Sequence, residues 1–562
     1  MFDWSAQLLR SMPELALFLS LGLGFALGRI RFWGVDIGGT AGTLIVALLI
    51  GMIGGVTLNR EVRDIAFALF IFTLGYMAGP SFFSSLNAHS LRYASFTAVQ
   101  LGLLIVLVCV ATVVLRLDQG TAAGLAAGST TASAALGTAG EAIGSLPLPL
   151  ARRQELQVEL ATTYSVAYIC SLITLIVFTG QLGPKLFGLD LRREAEALLG
   201  TLGDRDDPGT PAVPGLVGRI FEIQAGSGRT VEQVETELGG ECAIERLRRD
   251  GDLVPYDAET VLRPADRVLV VGSRADLLLG ERVLGPETTG AGAHPLSLDS
   301  ASVVITDPRY RGWTLARLHE EIPARDRHGV FVTGLSRMEH ALPVRPATGL
   351  HVGDTLHLTG TPHDLETHVP RLGVRIDPTV KADLSFIALG VVAGMLLGRV
   401  TAPLGPVPLS LGIGGGCLLS GLLFGWLRAR RPTFGQYHPA AAAVIKDYGL
   451  ATFVAAVGLG AGPAAIDLIR RYGPALPLAA VLLTLLPALA GMWLAVRLMK
   501  LPAPLACGCV AGQQCSTPTL ATVQRICGNG TPLLSYTIVY AFSAVALPLL
   551  GPLIVALAGL LR

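Results

Sequence analysis

The residues of this chain best suited to chemistry form a run that occurs twice. Gly128-Ser129-Thr130-Thr131-Ala132-Ser133 is answered 384 positions later by Gly512-Gln513-Gln514-Cys515-Ser516-Thr517, with Thr519 just beyond. Hydroxyl, amide and backbone groups of this kind hold carboxylates and ammonium groups through hydrogen bonds. Ser/His/Asp catalysis would need a positioned base, and the ten histidines show no pairing with either run. His89, His438 and the histidines of the central segment read as loop or interface residues. The expected chemistry is therefore recognition without reaction: no enzyme, no metal and no cofactor. After the runs, Glu141 and Arg525 stand at equivalent places. Arg525 is suited to supply a fixed positive charge for an anionic substrate, and Glu141 to face an ammonium group or help a gate; the alternative puts both at membrane surfaces.

Each run follows a small-residue approach and precedes a fresh helical pattern, so each reads as a broken helix. Helices interrupted at matching positions of two membrane halves bring free backbone N–H groups and helix N-terminal dipoles near the midplane, where an anion can be held. Small residues also simply let neighbouring helices approach closely. The duplication favours the broken helix.

The positioning elements are membrane spans. Of 562 residues, 51% are hydrophobic and 15% charged, and the mean hydropathy is +0.56. A chain this long and apolar is a multi-span membrane protein, with the lipid bilayer as solvent. A net charge of +1 points to no nucleic-acid partner. The eight cysteines read as small packing residues.

Runs able to cross a bilayer, which takes about 20 residues, fall near 14–30, 37–57, 64–80, 91–115 and 156–180. The first is read as a retained helix and not a signal peptide. The small, polar stretch Thr121–Ser145 is poorly suited to face lipid and reads as a re-entrant hairpin or discontinuous helix. Gly75 and Gly79 form a GxxxG spacing, read as a close helix contact or a hinge. Glu159 opens the last span with an acid, either functional within the membrane or interfacial and held by Arg152 or Arg153.

From about Gly183 to Lys381 the apolar runs stop, and strand-like and short helical segments alternate. This insert carries its own repeat, offset by 88: Leu262 to Gly272, containing Asp266, matches Leu350 to Gly360, containing Asp354. Thr230 and Thr314 open corresponding helices. From Phe386 the first half is replayed, with spans near 384–400, 405–427, 444–463, 475–498 and 533–560 and a second hairpin between Leu505 and Cys527. Gly458 and Gly462 answer Gly75 and Gly79. Five crossings per half would orient the halves oppositely. The expected fold class is an α-helical polytopic membrane protein of two inverted repeats, each of about five spans plus a hairpin, around a central cytosolic α+β insert.

The Asp-bearing turn and strand pattern of the insert resembles the RCK_C (TrkA_C) domain, present as a pair at 213–285 and 299–374 between membrane repeats at 1–182 and 382–562. Such a pair binds a small regulatory ligand or only holds subunits together. With the duplicated hairpins and GxxxG spacings, the order resembles the aspartate:alanine exchanger (AAEx) family, with its YidE/YbjL-type membrane duplication. The resemblance implies an antiporter of the bacterial inner membrane that takes small amino acids or carboxylates; the repeats of the insert and the GxxxG faces point to a homodimer. An ion channel or cation antiporter under RCK_C control, or a membrane-anchored nucleotide sensor, are the alternatives.

Overall fold

The computed structural model describes residues 2–561 except 33–34, 37, 54–55, 57, 85–89, 203–215, 239–241, 274–276, 278–279, 289–298, 323–327, 338–339, 377–382, 405–406, 431–434, 436 and 438. His89 and His438 fall outside the described residues. The chain divides into two compact units, one of 1–198 with 380–562 and one of 199–379.

The first half of the helical unit comprises α1 (Phe2–Ser11), α2 (Pro13–Gly28), a short ribbon of β1 (Arg31–Phe32) and β2 (Val35–Asp36), α3 (Gly39–Met52), α4 (Arg60–Ser84), α5 (Leu91–Leu115), α6 (Gln119–Ser129), α7 (Ser133–Gly144) and α8 (Leu150–Val177). A π-turn continues α8 into α9 (Gly183–Phe187), and α10 (Leu191–Thr201) follows.

The middle unit is built on two antiparallel sheets. β3 (Leu216–Glu222), α11 (Val231–Glu237), β4 (Ala243–Arg249), β5 (Asp252–Val254), β6 (Arg267–Ser273) and α12 (Gly280–Val283) form the first repeat, and β7 (Asp299–Val304), α13 (Leu315–Glu321), β8 (Val330–Arg337), β9 (His340–Leu342), β10 (Thr355–Gly360), α14 (Pro362–Leu372) and β11 (Val374–Ile376) the second. The strand orders are β3-β6-β4-β5 and β11-β7-β10-β8-β9, one topology with an added edge strand. Thr230 and Thr314 are the N-caps of α11 and α13, each accepting from a backbone N–H of the first turn.

The reason for the repeated aspartate is visible here. Asp266 is gripped by Arg249 Nε at 2.9 Å and Nη2 at 2.8 Å, and Asp354 by Arg337 Nε at 2.7 Å and Nη2 at 2.8 Å. Each arginine also donates to a backbone carbonyl, Val261 or Gly349, at 3.0 Å. Each carboxylate accepts a turn N–H, from Arg263 or His351, at 2.8 Å. Burial pushes the Asp266 carboxyl up, but the Arg249 hydrogen bonds and charge with the Arg263 N–H overcome it and hold the group below the usual carboxylate range. The arginines are themselves 88 apart, a signal present in the sequence.

The second helical half comprises α15 (Leu384–Leu397), the ribbon β12 (Thr401–Leu404) and β13 (Val407–Ser410), α16 (Gly412–Arg430), α17 (Pro439–Tyr472), α18 (Ala475–Trp493) with a π-turn to Leu498, α19 (Ala503–Gln513), α20 (Thr517–Cys527) and α21 (Leu533–Leu560). Among the described residues, seven helices are long and apolar enough to cross a membrane, and α2, α3 and α15 are shorter apolar helices. That makes five apolar helices in each half, α2, α3, α4, α5, α8 and α15, α16, α17, α18, α21, each set carrying one broken pair before its last member.

The halves interlock through glycine. A Cβ added at Gly75 or Gly79 would lie 2.4 Å from the Leu418 or Leu422 carbonyl oxygen of α16. The replayed pair does the same on α3: a Cβ at Gly462 would lie 2.3 Å from the Gly51 carbonyl carbon, and one at Gly458 2.8 Å from Ala47 Cβ. These glycines sit at close helix crossings, which is the contact reading of the GxxxG spacings. Gly460, between them, has nothing within 4 Å of an added Cβ. Gly462→Leu is expected to destabilise the protein by about 1–3 kcal/mol through overpacking, and Gly460→Leu to leave it unchanged, as read by thermal unfolding in detergent.

Candidate functional site

Both broken helices end the same way. In the first, Thr131 N donates to Gly128 O at 2.9 Å and Ala132 N to Ala127 O at 2.9 Å; in the second, Cys515 N donates to Gly512 O at 3.0 Å and Ser516 N to Ala511 O at 3.1 Å. This wrapped-back pattern terminates a helix around one left-handed residue. That residue is normally glycine, yet here it is Thr131 at φ 51° and Cys515 at φ 48°. A β-branched residue in this region is disfavoured by about 1–2 kcal/mol, and such strain persists where the surroundings over-determine it. Arg116 at φ 51° and Lys500 at φ 53° close the preceding helices and are also 384 apart. Four of the six non-glycine residues with positive φ among the described residues thus form two symmetry pairs around the hairpins.

The two breaks meet. Thr131 Oγ1 donates to the Gln514 backbone carbonyl at 2.9 Å, so the apex of one half touches the apex of the other. Gly128 lets α6 lie against α8, where an added Cβ would be 2.6 Å from Ala167 Cβ and 2.9 Å from Tyr164 O; Gly512 lets α19 lie against α21, 2.8 Å from Tyr536 O. Asp118 starts the first hairpin, accepting from Thr121 N at 2.7 Å as the N-cap of α6.

Most of the expected polar residues are buried at this junction. Ser129 and Thr130 donate to carbonyls of their own helix, and the Ser129 carbonyl accepts from Thr484 Oγ1 at 3.0 Å. Ser133 Oγ and Tyr164 OH are 2.7 Å apart. Gln513 Oε1 accepts from Ser543 Oγ at 3.1 Å, and Ser516 Oγ pairs with Thr519 Oγ1 at 2.8 Å. Gln514 is only 4% exposed, and its Oε1 has no hydrogen-bond partner among the described residues. The arrangement therefore presents two half-helix N-termini, those of α7 and α20, and one unsatisfied amide acceptor. Helix N-termini suit an anionic group and the amide oxygen suits an N–H donor.

Two expected residues are exposed, Thr517 at the start of α20 and Arg525 in its last turn. Glu141, half-buried at the end of α7, accepts from Gly414 N at 2.9 Å and so caps the start of α16. Glu159 is 8% exposed; its ion pair is with Arg471 at 3.4 Å. The expected partners are engaged otherwise, Arg152 with Glu155 and Arg153 with the Gly144 carbonyl, because one helical turn brings Glu155 closer to Arg152 than Glu159 is. Thr484 and the pairs Tyr164/Tyr168 and Tyr536/Tyr540 were not singled out from the sequence. The tyrosines have a signal there, a Tyr-x-x-x-Tyr spacing on the helix after each hairpin; Thr484 has none.

A duplicated bundle with a broken helix in each half defines a multi-pass membrane permease. The family model described as Predicted Permease Membrane Region (Asp-Al_Ex) matches residues 16–182 and 386–556, and the chain belongs to that family. It is 35% identical to an uncharacterized transporter of Zymomonas mobilis, with 98% of each chain covered. Identity is 34% to uncharacterized transporters of Bradyrhizobium diazoefficiens and Bordetella parapertussis, again with 98% of each chain covered. No solved structure matches the chain. The matched residues stop on either side of the middle unit and cover both hairpins.

Proposed function

We propose that the protein is a secondary active antiporter that exchanges amino acids or related small carboxylates, of the aspartate:alanine type, by alternating access. The observation that carries this reading is the meeting of the two helix breaks through Thr131 and Gln514. Two half-helix N-termini would take the substrate carboxylate, and Gln514 Oε1 would take its ammonium group. The strained backbone at Thr131 and Cys515 suits a site that must rearrange. The protein would sit in the bacterial inner membrane as a homodimer, with the middle unit in the cytoplasm acting as an RCK_C-type regulatory pair.

A panel of labelled amino and dicarboxylic acids, tested for uptake into proteoliposomes preloaded with unlabelled compound, tests the reading. Gln514→Ala removes an acceptor that no described residue uses, so the loss of thermal stability should be limited to the cavity left behind. Apparent affinity should fall about tenfold, the worth of one hydrogen bond to a charged donor. Unchanged affinity for every transported compound would remove Gln514 from the site.

A further inference from the structure

The soluble unit contains a second cluster that the hairpins do not use. From its first repeat come Glu235 on α11, Glu245 on β4 and Tyr256 after β5; from its second come His328 before β8 and Asp364 on α14. His328 Nε2 is 3.0 Å from Glu235 Oε1 and Nδ1 is 3.6 Å from Asp364 Oδ1, so the ring bridges the repeats. A neutral imidazole has one N–H; only the imidazolium presents a proton to both carboxylates. Ile244 N holds Glu235 in place with a 2.7 Å hydrogen bond to the same oxygen.

Glu245 enters the cluster through the backbone. Ile244 and Arg246 pair with consecutive residues Val270 and Leu269, so Glu245 is the extra residue of a β-bulge. The second repeat has its bulge at the equivalent Thr333, whose hydroxyl bonds within its own sheet at 3.1 Å. Glu245 Oε1 instead is buried with no hydrogen-bond partner among the described residues. A Cβ added at Gly329, at φ +66°, would lie 2.4 Å from Asp364 Oδ2 and 2.8 Å from Glu245 Oε1. The left-handed glycine thus leaves the space in which carboxylates from the two repeats face each other. Three carboxylates around one cation are too many to remain ionised together out of water.

We propose that this cluster is a proton-operated clasp between the tandem repeats, closed by an imidazolium at His328 and a proton held at Glu245, and opened by alkaline conditions. The groups facing Glu245 are Asp364, His328, Glu235 and Tyr256, and those facing His328 are Asp364, Glu235 and Glu245 itself. Burial, then the Asp364 and Glu235 charges, push the Glu245 carboxyl up to about 8 against the pull of His328. Burial lowers His328, but hydrogen bonds to Asp364 and Glu235 and their charges win and raise it to about 10. Both groups bind protons more tightly in the closed state, so both favour closure at low pH. The Glu245 contribution is lost as pH rises from its ordinary value toward about 8, and the His328 contribution from its ordinary value toward about 10.

The test is hydrogen–deuterium exchange of the full-length protein in nanodiscs, read over β4, β8 and α14 between pH 6.5 and 8 and corrected for intrinsic rates. Protection in the wild type should fall about a hundredfold across this interval, and in Glu245→Gln about tenfold, because only the His328 proton is then lost. His328→Gln should show low protection at every pH. A flat wild-type profile, a wild-type slope in Glu245→Gln, or wild-type protection in His328→Gln at pH 6.5 would each overturn the proposal. The wild-type profile alone decides if a variant does not fold.

Discussion

Gly128→Val is expected to reduce exchange on the order of a hundredfold, the cost of misplacing a binding group by about 1 Å. A Cβ there would meet Ala167 Cβ at 2.6 Å, Tyr164 O at 2.9 Å and Tyr168 N at 3.0 Å. Two of these are backbone atoms that cannot rotate away, so α6 must lift off α8 and carry Thr131 away from Gln514. Gly140→Ala is the control within the same hairpin, since its nearest neighbour would be Leu160 Cδ2 at 3.7 Å. Initial exchange rates in proteoliposomes, normalised to folded protein by size-exclusion, read the difference. Equal rates in the two variants would mean that the close seating of α6 on α8 does not position the site.

Arg337→Ala carries the largest expected loss of stability. Asp354 is 1% exposed and its arginine 5% exposed, so truncation leaves a carboxylate out of water with, among the described residues, the His351 N–H alone to hold it. Removing one partner of such a pair costs about 3–5 kcal/mol, and the second repeat of the middle unit should lose its exchange protection while the helical unit keeps its own. Arg249→Ala in the first repeat should cost less, because the Arg249 side chain is 19% exposed and water can replace part of what it gave Asp266. Replacing both members at once, Arg337→Met with Asp354→Leu, should recover much of the loss, since no buried charge is then stranded. Hydrogen exchange over β8 and β10 measures all three.

How much of this was legible beforehand depended on what repeats in the sequence. Apolar runs and their duplication marked the helical halves, because a bilayer-length helix needs a continuous apolar stretch. Matching polar runs marked both breaks, and the aligned aspartates marked the repeat of the middle unit. Identity of the contact partners was not legible. Glu159 pairs with Arg471 from a helix more than 300 positions away, which local spacing cannot reveal. Glu141 and Arg525 stand at equivalent positions, yet Glu141 caps α16 and Arg525 is exposed in the last turn of α20; equivalent positions diverge because each half packs against a different neighbour. The strain at Thr131 was hidden because its residue type argues against the left-handed conformation that the helix ending gives it.

The most direct test of the central claim is counterflow. Proteoliposomes holding a concentrated unlabelled amino acid or dicarboxylate are diluted into a trace of the same labelled compound, with empty vesicles alongside. A site formed by both halves that must carry substrate each way predicts transient accumulation of label only in the loaded vesicles. Equal entry of label into loaded and empty vesicles, insensitive to Gly128→Val, would contradict an exchanger built on the two meeting breaks.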